Sequence, residues 1–470
     1  MIDARHRNTA LLVAGCQFME MLDGTIVTTA SPQIGRSLHA PPTAIGLVIT
    51  AYLLTLAALI PLSGWLTRRL GNRVIFLTAI TLFTLASIGC ASSVSLGELV
   101  GFRVLQGAGG AMMVPVGRTM VFSRAAKEDL LRVTSYVVWP GLLAPVIEPL
   151  AGGLITTYAS WHWLFLINVP LGVIAFCVAW RLVTDGRDAA GPTPPLDWAG
   201  VVLTCVGLGG LTYGAHLLSL PAPPVLLTAV CLAGSLALIA GAAWHLRRTA
   251  FPLLNLRTLA VPAFRVSQSG VIAYWFVCGA MPFLLPLLFQ TQFGWSPVKS
   301  GAVTAFVFVG NVGIKPATTP LINRFGFRSV LLAAAAGTAV VVAALGFITA
   351  STPIAIIALL TLISGITRSA GLTVYNTVSL ADMPRELMRD ANTLMATTSQ
   401  LGAGLSIAIA TVALRIGGVI GPGLTAYTVA FCLLALIAVG AVAEALRMDR
   451  TAGDAVRRSR TPAPTAAARD

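Results

Sequence analysis

Charged side chains are scarce in this sequence, and their scarcity excludes most soluble folds. Only 10% of the 470 residues are Asp, Glu, Lys or Arg, whereas 56% are hydrophobic, and the mean hydropathy is +0.84. A soluble globular domain carries roughly 25% charged residues. A chain of this composition cannot hide so much apolar surface from water, so we expect it to use a lipid bilayer as its solvent.

Sequence motifs for metal binding and catalysis are also missing. The seven cysteines stand singly in apolar segments, with no C-x-x-C pair and no His/Cys cluster, so neither a disulfide framework nor a metal site is expected. No G-x-x-x-x-G-K-[ST] sequence occurs, which argues against ATP hydrolysis, and no Ser/His/Asp cluster is present. We therefore expect no enzyme activity and no cofactor.

Long apolar stretches define the fold class. A membrane-spanning helix needs about 20 mostly apolar residues, whereas barrel strands are shorter and alternate in polarity. The sequence predicts an all-α membrane protein with 14 transmembrane helices. These cover residues 9–34, 45–66, 74–92, 99–122, 133–158, 163–183, 198–218, 224–244, 266–289, 301–322, 329–349, 353–374, 392–416 and 425–446. The first stretch is too long for a cleavable signal and contains Asp23.

The basic residues predict the orientation of the chain. With the N-terminus placed in the cytoplasm, 24 of the 31 Lys and Arg fall in inner loops and tails, and only Arg36, Lys299 and Arg415 fall in outer loops. This asymmetry follows the positive-inside rule and predicts that both termini are cytoplasmic. The net charge of +14 then faces anionic lipid, so no nucleic-acid partner is expected.

The sequence predicts that the spans form two related sets of six around a central pair. Short basic turns at 61–76 and 319–331 match at an offset of 255 residues, each after the second helix of its set. Transporters are often built from such repeats, with the substrate site between them. The predicted divisions are an N-terminal six-helix bundle at 1–190, a linker and central helix pair at 191–250, a C-terminal six-helix bundle at 251–447, and a disordered cytoplasmic tail at 448–470.

Five stretches of the chain carry recognisable sequence motifs. They are LDGTIVTTASPQIG (22–35) in the first span, GWLTRRLGNR (64–73) in the following loop, RVLQGAGGAMMVP (103–115) in the fourth span, APVIEPLAGG (144–153) in the fifth, and SQLGAGLSIAIA (399–410) in the thirteenth. Together they resemble the major facilitator superfamily, in its fourteen-span drug:proton antiporter branch. The resemblance implies two six-helix bundles, a central helix pair, and alternating access driven by a proton gradient.

The resemblance also implies residues that support the conformational change. In this sequence they are Gly64, Arg68, Arg69, Gly71 and Arg73 in the loop motif, and Pro145, Pro149, Gly152 and Gly153 in the fifth span. The family places an Asp at the position of Arg68, where it helps to hold the two bundles together, so that lock is expected to be weaker or built differently. The family also places glycines at Ala144, Glu148 and Ala151, where they permit close helix contact.

Charged residues inside spans are functional candidates because they are costly in lipid. At 1.5 Å rise per residue, Asp23 and Glu148 both lie near mid-membrane. Asp23 is either a proton carrier influenced by Arg103 or a structural ion pair between spans one and four. Arg118, close to the inner end of span four, is expected to reach the cytoplasmic surface with its long side chain.

Glu148 has two interpretations. It could form an ion pair with Lys315 on span ten, which would couple the two bundles and make Glu148 an alternative proton carrier. It could instead face the cavity and bind a cationic substrate. We therefore predict Asp23, Arg103 and Glu148 as the proton-coupling residues, without deciding which carboxylate carries the proton.

A further set of polar, aromatic and basic residues is predicted to bind substrate, although helix packing is the alternative role for each. The set is Glu20, Gln106, Tyr274, Trp275, Asn311, Lys315 and Arg368. The predicted function is a proton-coupled secondary transporter that exports drugs or other amphipathic small molecules. The alternative is an exporter of a specific metabolite or organic anion, attracted by the two basic residues. The buried charges and the lack of a pore-loop motif argue against a receptor or channel.

The predicted partners are a small-molecule substrate, protons and the lipid bilayer. The expected location is the cell inner (plasma) membrane, crossed many times, and a monomer is expected.

Overall fold

The computed structural model describes residues 4–122, 130–183, 195–219, 224–250, 252–381, 383–384 and 387–448. All regular structure in these ranges is helical, which confirms the predicted all-α class. The predicted tail lies outside the described residues apart from Met448, and the first part of the linker at 191–194 lies outside them as well.

Sixteen α-helices make up the described chain, together with two short 3₁₀ turns. The helices before the linker are α1 Ala4–Ser37, α2 Gly46–Leu70, α3 Asn72–Ser92, α4 Leu96–Phe122, α5 Leu130–Tyr158, α6 Trp163–Leu166 and α7 Asn168–Leu182. The next two are α8 Trp198–Ser219 and α9 Val225–Arg248. The last seven are α10 Pro262–Thr291, α11 Pro297–Gly313, α12 Lys315–Phe325, α13 Phe327–Leu345, α14 Ile354–Ala381, α15 Met388–Ile420 and α16 Leu424–Arg447.

The helices coincide with the predicted spans. By length and composition, 11 helical segments of the described chain could cross a membrane, and two bent segments raise the number to 13. Helix α5 lies at the remaining predicted span, and its side chains are described only from residue 143. The pairs α6–α7 and α11–α12 each occupy one predicted span, so the 16 helices correspond to the 14 spans of the prediction.

The break between α11 and α12 has a local cause. The axes of the two helices differ by 50°. Pro316 follows the break in the first turn of α12, and its ring can neither donate an N–H nor fit beside the carbonyl one turn earlier. A proline is therefore sufficient to bend the span at Ile314 and to redirect the residues that follow.

The two sets of helices meet along a few long contacts. Helix α5 packs against α11, α2 packs against α15, and α1 packs against α10. Helices α8 and α9 pack against each other, and α8 also contacts both α2 and α15. The central pair therefore lies beside the seam between the two halves.

The repeated basic turns have the same structure in both halves. Gly71 and Gly326 adopt φ angles of 86° and 82°, a region that favours glycine because it has no Cβ. Two residues later, Arg73 donates to the backbone oxygen of Trp180, and Arg328 donates to that of Leu446. Each turn is thus tied to the last helix of its own half. We call the side of the molecule that carries these turns the basic end.

The hydrophobic core is continuous at one end and divided at the other. Away from the basic end, one cluster joins residues of both halves, including Ile26 of α1, Phe283 of α10 and Ile407 of α15. Toward the basic end, separate clusters surround Phe76 and Tyr375, one in each half. The halves are therefore sealed together at the far end and separated at the basic end.

Candidate functional site

A cavity of about 890 Å³ lies between the two halves and extends to the basic end. Its inner part is lined by Glu20 of α1, Gly110 of α4 and Trp275 of α10, and its mouth by Arg68 of α2 and Asp390 of α15. The two halves both contribute to its wall. The cavity is therefore placed and shaped to hold a small molecule at the seam, as expected of a ligand site.

A buried hydrogen-bonded network lies beside the inner part of the cavity. The Asp23 carboxylate pairs with Arg103 Nη1 at 2.5 Å and accepts from Gln106 Nε2 at 2.9 Å and from Asn168 Nδ2 at 2.6 Å. Asp23 is 1% exposed and Arg103 is fully buried. Helices α1, α4 and α7 therefore meet at one carboxylate, and the contact between spans one and four that the sequence allowed is present.

Arg103 is also enclosed by aromatic rings. Its guanidinium carbon lies 4.3 Å from the centroid of the Tyr52 ring and 5.6 Å from that of Phe165. Its Nε donates to the backbone oxygen of Val48 at 3.4 Å. Faces of aromatic rings attract cations, most strongly where water is excluded. The arginine is thus stabilised by Asp23 and by its surroundings.

Glu20 lies one helical turn from Asp23 and reaches the cavity. Arg118 also lines the cavity, and its Nε and Nη2 donate to Gln17 Oε1 at 3.2 and 3.0 Å. The sequence predicts that Arg118 reaches the cytoplasmic surface; in the structure it lines the cavity that extends to the basic end. A buried amide on α1 holds the guanidinium at the cavity wall, which depth along α4 alone could not indicate.

Glu148 is fully buried where α5 packs between α1 and α11. Its Oε1 accepts a hydrogen bond from Thr28 Oγ1 at 3.5 Å. The helices approach closely at the neighbouring glycines: a Cβ on Gly152 would lie 3.1 Å from the Ile26 carbonyl oxygen, and one on Gly153 would lie 2.5 Å from that of Pro297. The close contacts expected of this motif are present, with glutamate in place of one glycine.

The predicted ion pair between Glu148 and Lys315 is absent from this conformation. Both residues are described, and no nitrogen of Lys315 lies within 4.0 Å of a Glu148 oxygen. Lys315 Nζ instead donates to Thr373 Oγ1 of α14 at 3.2 Å. The prediction treated span ten as straight, whereas the bend at Ile314 turns Lys315 toward α14.

Arg368 of α14 lies within electrostatic range of Glu148. Its guanidinium carbon lies 5.4 Å from the Trp275 ring centroid and 5.5 Å from that of Phe308. Its Nε and Nη1 are buried and have no hydrogen-bond partner among the described residues. The half-buried cation of the second half thus lies beside two aromatic rings.

The other residues predicted to bind substrate occupy different positions. Gln106 belongs to the Asp23 network, and Tyr274 is fully buried with its hydroxyl bonded to Thr338 Oγ1 and the Thr367 carbonyl oxygen. Asn311 lies where α11 closely approaches α14. Lys315 and Arg368 are outside the cavity lining, so Glu20 and Trp275 are the members of the predicted set that line it.

The loop-motif residues surround the mouth of the cavity. Gly64 and Arg68 line it, whereas the Arg69 guanidinium lies 5.2 Å from the Trp65 ring centroid. On α5, Pro149 approaches α11, because a Cβ on Gly301 would overlap its carbonyl oxygen. Pro145 is half-buried on the same helix.

Two amides in this region were not predicted. Asn168 and Gln17 hold Asp23 and Arg118 respectively. An amide in an apolar span needs a hydrogen-bond partner, so the polarity of these two residues was a usable signal. The charged residue that each amide contacts depends on the rotation of its helix about its axis. The sequence does not determine that rotation accurately enough to identify the contact.

Asp197 at the start of α8 forms a further cluster, which the sequence analysis missed. Its carboxylate accepts from His245 Nε2 at 2.7 Å, from the Gly200 amide at 2.8 Å and from the Leu253 amide at 3.2 Å. Burial raises the pKa of Asp197, but these hydrogen bonds outweigh burial and hold the pKa below its usual range. The cluster ties both ends of the central pair together at the cavity mouth.

Comparison of the sequence with known proteins identifies its relatives. The family model of the Major Facilitator Superfamily matches residues 13–407. A protein of Pectobacterium carotovorum, named as a candidate multidrug resistance protein, MdtD, is 35% identical over 457 residues, which are 96% of this chain and 97% of that protein. A protein of the same name from Pectobacterium atrosepticum is 37% identical over 407 residues, which are 86% of each.

Solved transporter structures share the fold. An auto-inhibited peptide transporter of the POT family gives a TM-score of 0.68 at 17% identity and covers 97% of this chain and 98% of that chain. A bacterial homolog of the human lysosomal transporter Spinster gives 0.66 at 16% identity and covers 98% and 100%. These structures show the fold alone, and they confirm the predicted architecture. The family match and the full-length relatives establish that the chain belongs to the Major Facilitator Superfamily, a family of membrane transporters.

Proposed function

We propose that this chain is a proton-coupled secondary transporter that exports drugs or other amphipathic small molecules by alternating access. One observation carries the proposal: the buried Asp23–Arg103 pair lies one helical turn from Glu20, which lines the cavity. A proton site beside a substrate site allows each ligand to influence the other. The name multidrug resistance protein, carried by the relatives, supports the substrate class.

The proposal includes an orientation. We place the basic end in the cytoplasm, at the inner (plasma) membrane of the cell, with both termini on that side, because 24 of the 31 basic residues then obey the positive-inside rule. In this orientation the open cavity takes up substrate from the cytoplasm. The bodies that move are residues 1–190 and 251–447, with 191–250 between them, and a monomer suffices because both walls of the cavity come from one chain.

Asp23 is the preferred proton carrier. A proton on its carboxylate would remove the charge that binds Arg103, and the contact between α1 and α4 would weaken. Glu148 is the alternative carrier, because it is also buried near mid-membrane and lies where α5 packs against α11. The two differ in what protonation would release: Asp23 ties helices within one half, whereas Glu148 lies at the seam.

Transport by the purified chain in proteoliposomes tests the proposal. With a pH gradient imposed, the wild type should move tetraphenylphosphonium uphill, and an uncoupler should abolish the movement. Asp23→Asn should lose uphill transport but retain exchange of labelled for unlabelled substrate, since an amide keeps the shape of the carboxylate and cannot ionise.

The matched variant is Glu148→Gln, which removes the other buried carboxylate. It should retain uphill transport if Asp23 carries the proton. Normal uphill transport by Asp23→Asn, with loss in Glu148→Gln, would transfer the role to Glu148. If the wild type moves no substrate against its gradient, proton-coupled export itself is wrong.

A further inference from the structure

Two side chains of opposite charge line the inner part of the cavity without pairing with each other. Glu20 extends from α1 and Arg118 from α4. Both are described, and no nitrogen of Arg118 lies within 4.0 Å of a Glu20 oxygen. They are nevertheless within electrostatic range of each other. One wall of the cavity therefore presents an acid and a base with a gap between them.

Arg118 is held in place from behind. Two of its nitrogens donate to the single oxygen Oε1 of Gln17, a buried residue on α1. Gln17 lies one helical turn from Glu20, so the two charges are supported by adjacent turns of α1. A guanidinium that is fixed through one edge still has donors directed elsewhere, and Arg118 is exposed at the cavity wall.

The surroundings of the two charges are largely apolar. Glu20 packs beside Gly110, where an added Cβ would lie 3.5 Å from Glu20 Cγ. Leu56 and Val114 line the same part of the cavity, and Trp275 lines it from the other half. An aromatic or aliphatic ligand body therefore fits between the halves, with charged groups directed to the α1–α4 wall.

We propose that this part of the cavity binds zwitterionic amphipathic molecules, with a ligand ammonium group at Glu20 and a ligand carboxylate at Arg118. The inference rests on the proposed export function and names a substrate class for the same cavity. A molecule with only a positive charge would form an ion pair with Glu20 but would leave Arg118 without an anionic group of the ligand to bind. A molecule with both charges satisfies both side chains, and charge-assisted hydrogen bonds are the strongest kind available.

The test is an equilibrium binding cycle on the full chain in lipid nanodiscs, without a gradient. The probes are norfloxacin, which carries an amine and a carboxylate, and its ethyl ester, which keeps only the amine. The wild type should bind the acid about tenfold or more tighter than the ester, the scale of one charge-assisted hydrogen bond. In Arg118→Gln the ratio should fall to about one, because the carboxylate has lost its partner.

Two variants serve as controls. Glu20→Gln should weaken the acid and the ester alike, since both carry the amine. Arg248→Gln removes a cation from the basic end, where Arg248 is exposed and stacked on Trp244, outside the cavity lining, and it should preserve the ratio. Retained binding of the ester by Arg118→Gln shows that this variant is folded.

Two results would overturn the inference. The first is equal binding of acid and ester by the wild type. The second is an unchanged ratio in Arg118→Gln, which would make Arg118 only an internal counter-charge for Glu20. Failure here leaves proton-driven export of tetraphenylphosphonium untouched, so the two proposals can fail separately.

Discussion

The two halves of the molecule share a frame and differ in chemistry. The turns at Gly71 and Gly326 have the same backbone geometry, and the arginine after each is tied to the last helix of its half. At the same offset of 255 residues, however, Glu20 corresponds to Trp275, and Asp23 corresponds to Cys278. The first half thus places carboxylates where the second half places an aromatic ring and a thiol.

The arginines within the spans of the two halves show the same contrast. Arg103 has a carboxylate partner at 2.5 Å, whereas Arg368 lies between aromatic rings with two nitrogens that lack a hydrogen bond among the described residues. Repetition therefore preserves the contacts that position helices and not the groups that carry charge. In the proposed cycle, the first half binds the proton and the second supplies an apolar wall for the substrate.

The sharpest test of this contrast compares Arg103, which is fully buried, with Arg368, which is half-buried. Arg103→Met leaves Asp23 buried without its cation, and such a loss typically costs about 3–5 kcal/mol. Arg368→Met removes a cation that has two unmet hydrogen bonds and no carboxylate within 4.0 Å among the described residues, so it should cost much less. Thermal unfolding of both variants in detergent measures the difference. Asp23→Asn combined with Arg103→Met should recover most of the stability, and equal losses in the two single variants would contradict the contrast.

The sealed end, where the halves meet, can be disturbed at one glycine. Gly301→Ala would place a Cβ against the Pro149 carbonyl oxygen, and overpacking of this kind costs about 1–3 kcal/mol. We expect the seal to loosen, so that a cysteine introduced at Phe283 in the joint cluster reacts faster with a soluble maleimide. Gly313→Ala on the same helix is the matched control, since its Cβ would meet nothing within 4 Å. Equal labelling rates in the two variants would show that this contact does not seal the halves.

The shared frame predicts equal effects from two matched substitutions. Arg73→Gln and Arg328→Gln each remove one charged donor to a helix-end carbonyl. Each should lower the free energy of unfolding by about 1 kcal/mol, the usual net contribution of one hydrogen bond. Chemical denaturation measures both. A large effect in one half only would show that the repeated turn has different structural roles.

The central pair belongs to neither half, and its Asp197 cluster should make the stability of the protein depend on pH. The pKa of Asp197 is lower than its ordinary value of 3.8, so its hydrogen bonds stabilise the fold above that pH, and the stabilisation is lost as the pH falls through the depressed value. Asp197→Asn should cost about 1 kcal/mol near neutral pH, the usual net contribution of one hydrogen bond, because an amide has one acceptor oxygen where the carboxylate uses two. The difference in melting temperature from the wild type should disappear once the pH falls below that depressed pKa. A difference that persists there would assign the effect to packing.

Much of the fold follows from the sequence, because lipid imposes simple rules. Apolar stretches of about 20 residues predicted the helices of the described chain, since a helix satisfies its own backbone in a bilayer. The turn at Gly71 and its repeat at Gly326 were visible as a matching pattern. The bend at Ile314 was less obvious, because prolines within other spans, such as Pro115 in α4, interrupt no helix.

The sequence predicted which residue types form the site better than it predicted which residues contact each other. The high free energy of a charged side chain in lipid identified Asp23, Arg103 and Glu148 as candidates, and the first two are in contact. Depth arithmetic then paired Glu148 with Lys315, although the bend directs Lys315 elsewhere. A difference of one helical turn or a rotation of 100° changes which side chains meet, and neither is fixed by counting residues from a span end.

The aromatic enclosure of Arg103 affects what a proton on Asp23 can do. When the carboxylate is neutral, the guanidinium still faces the rings of Tyr52 and Phe165, and these cation–π contacts continue to hold it in position. The cation then acts as a fixed anchor and the acid as the movable member. Each transport cycle would then move α1 relative to a stationary α4. The movement of this one helix would couple the proton gradient to substrate transport.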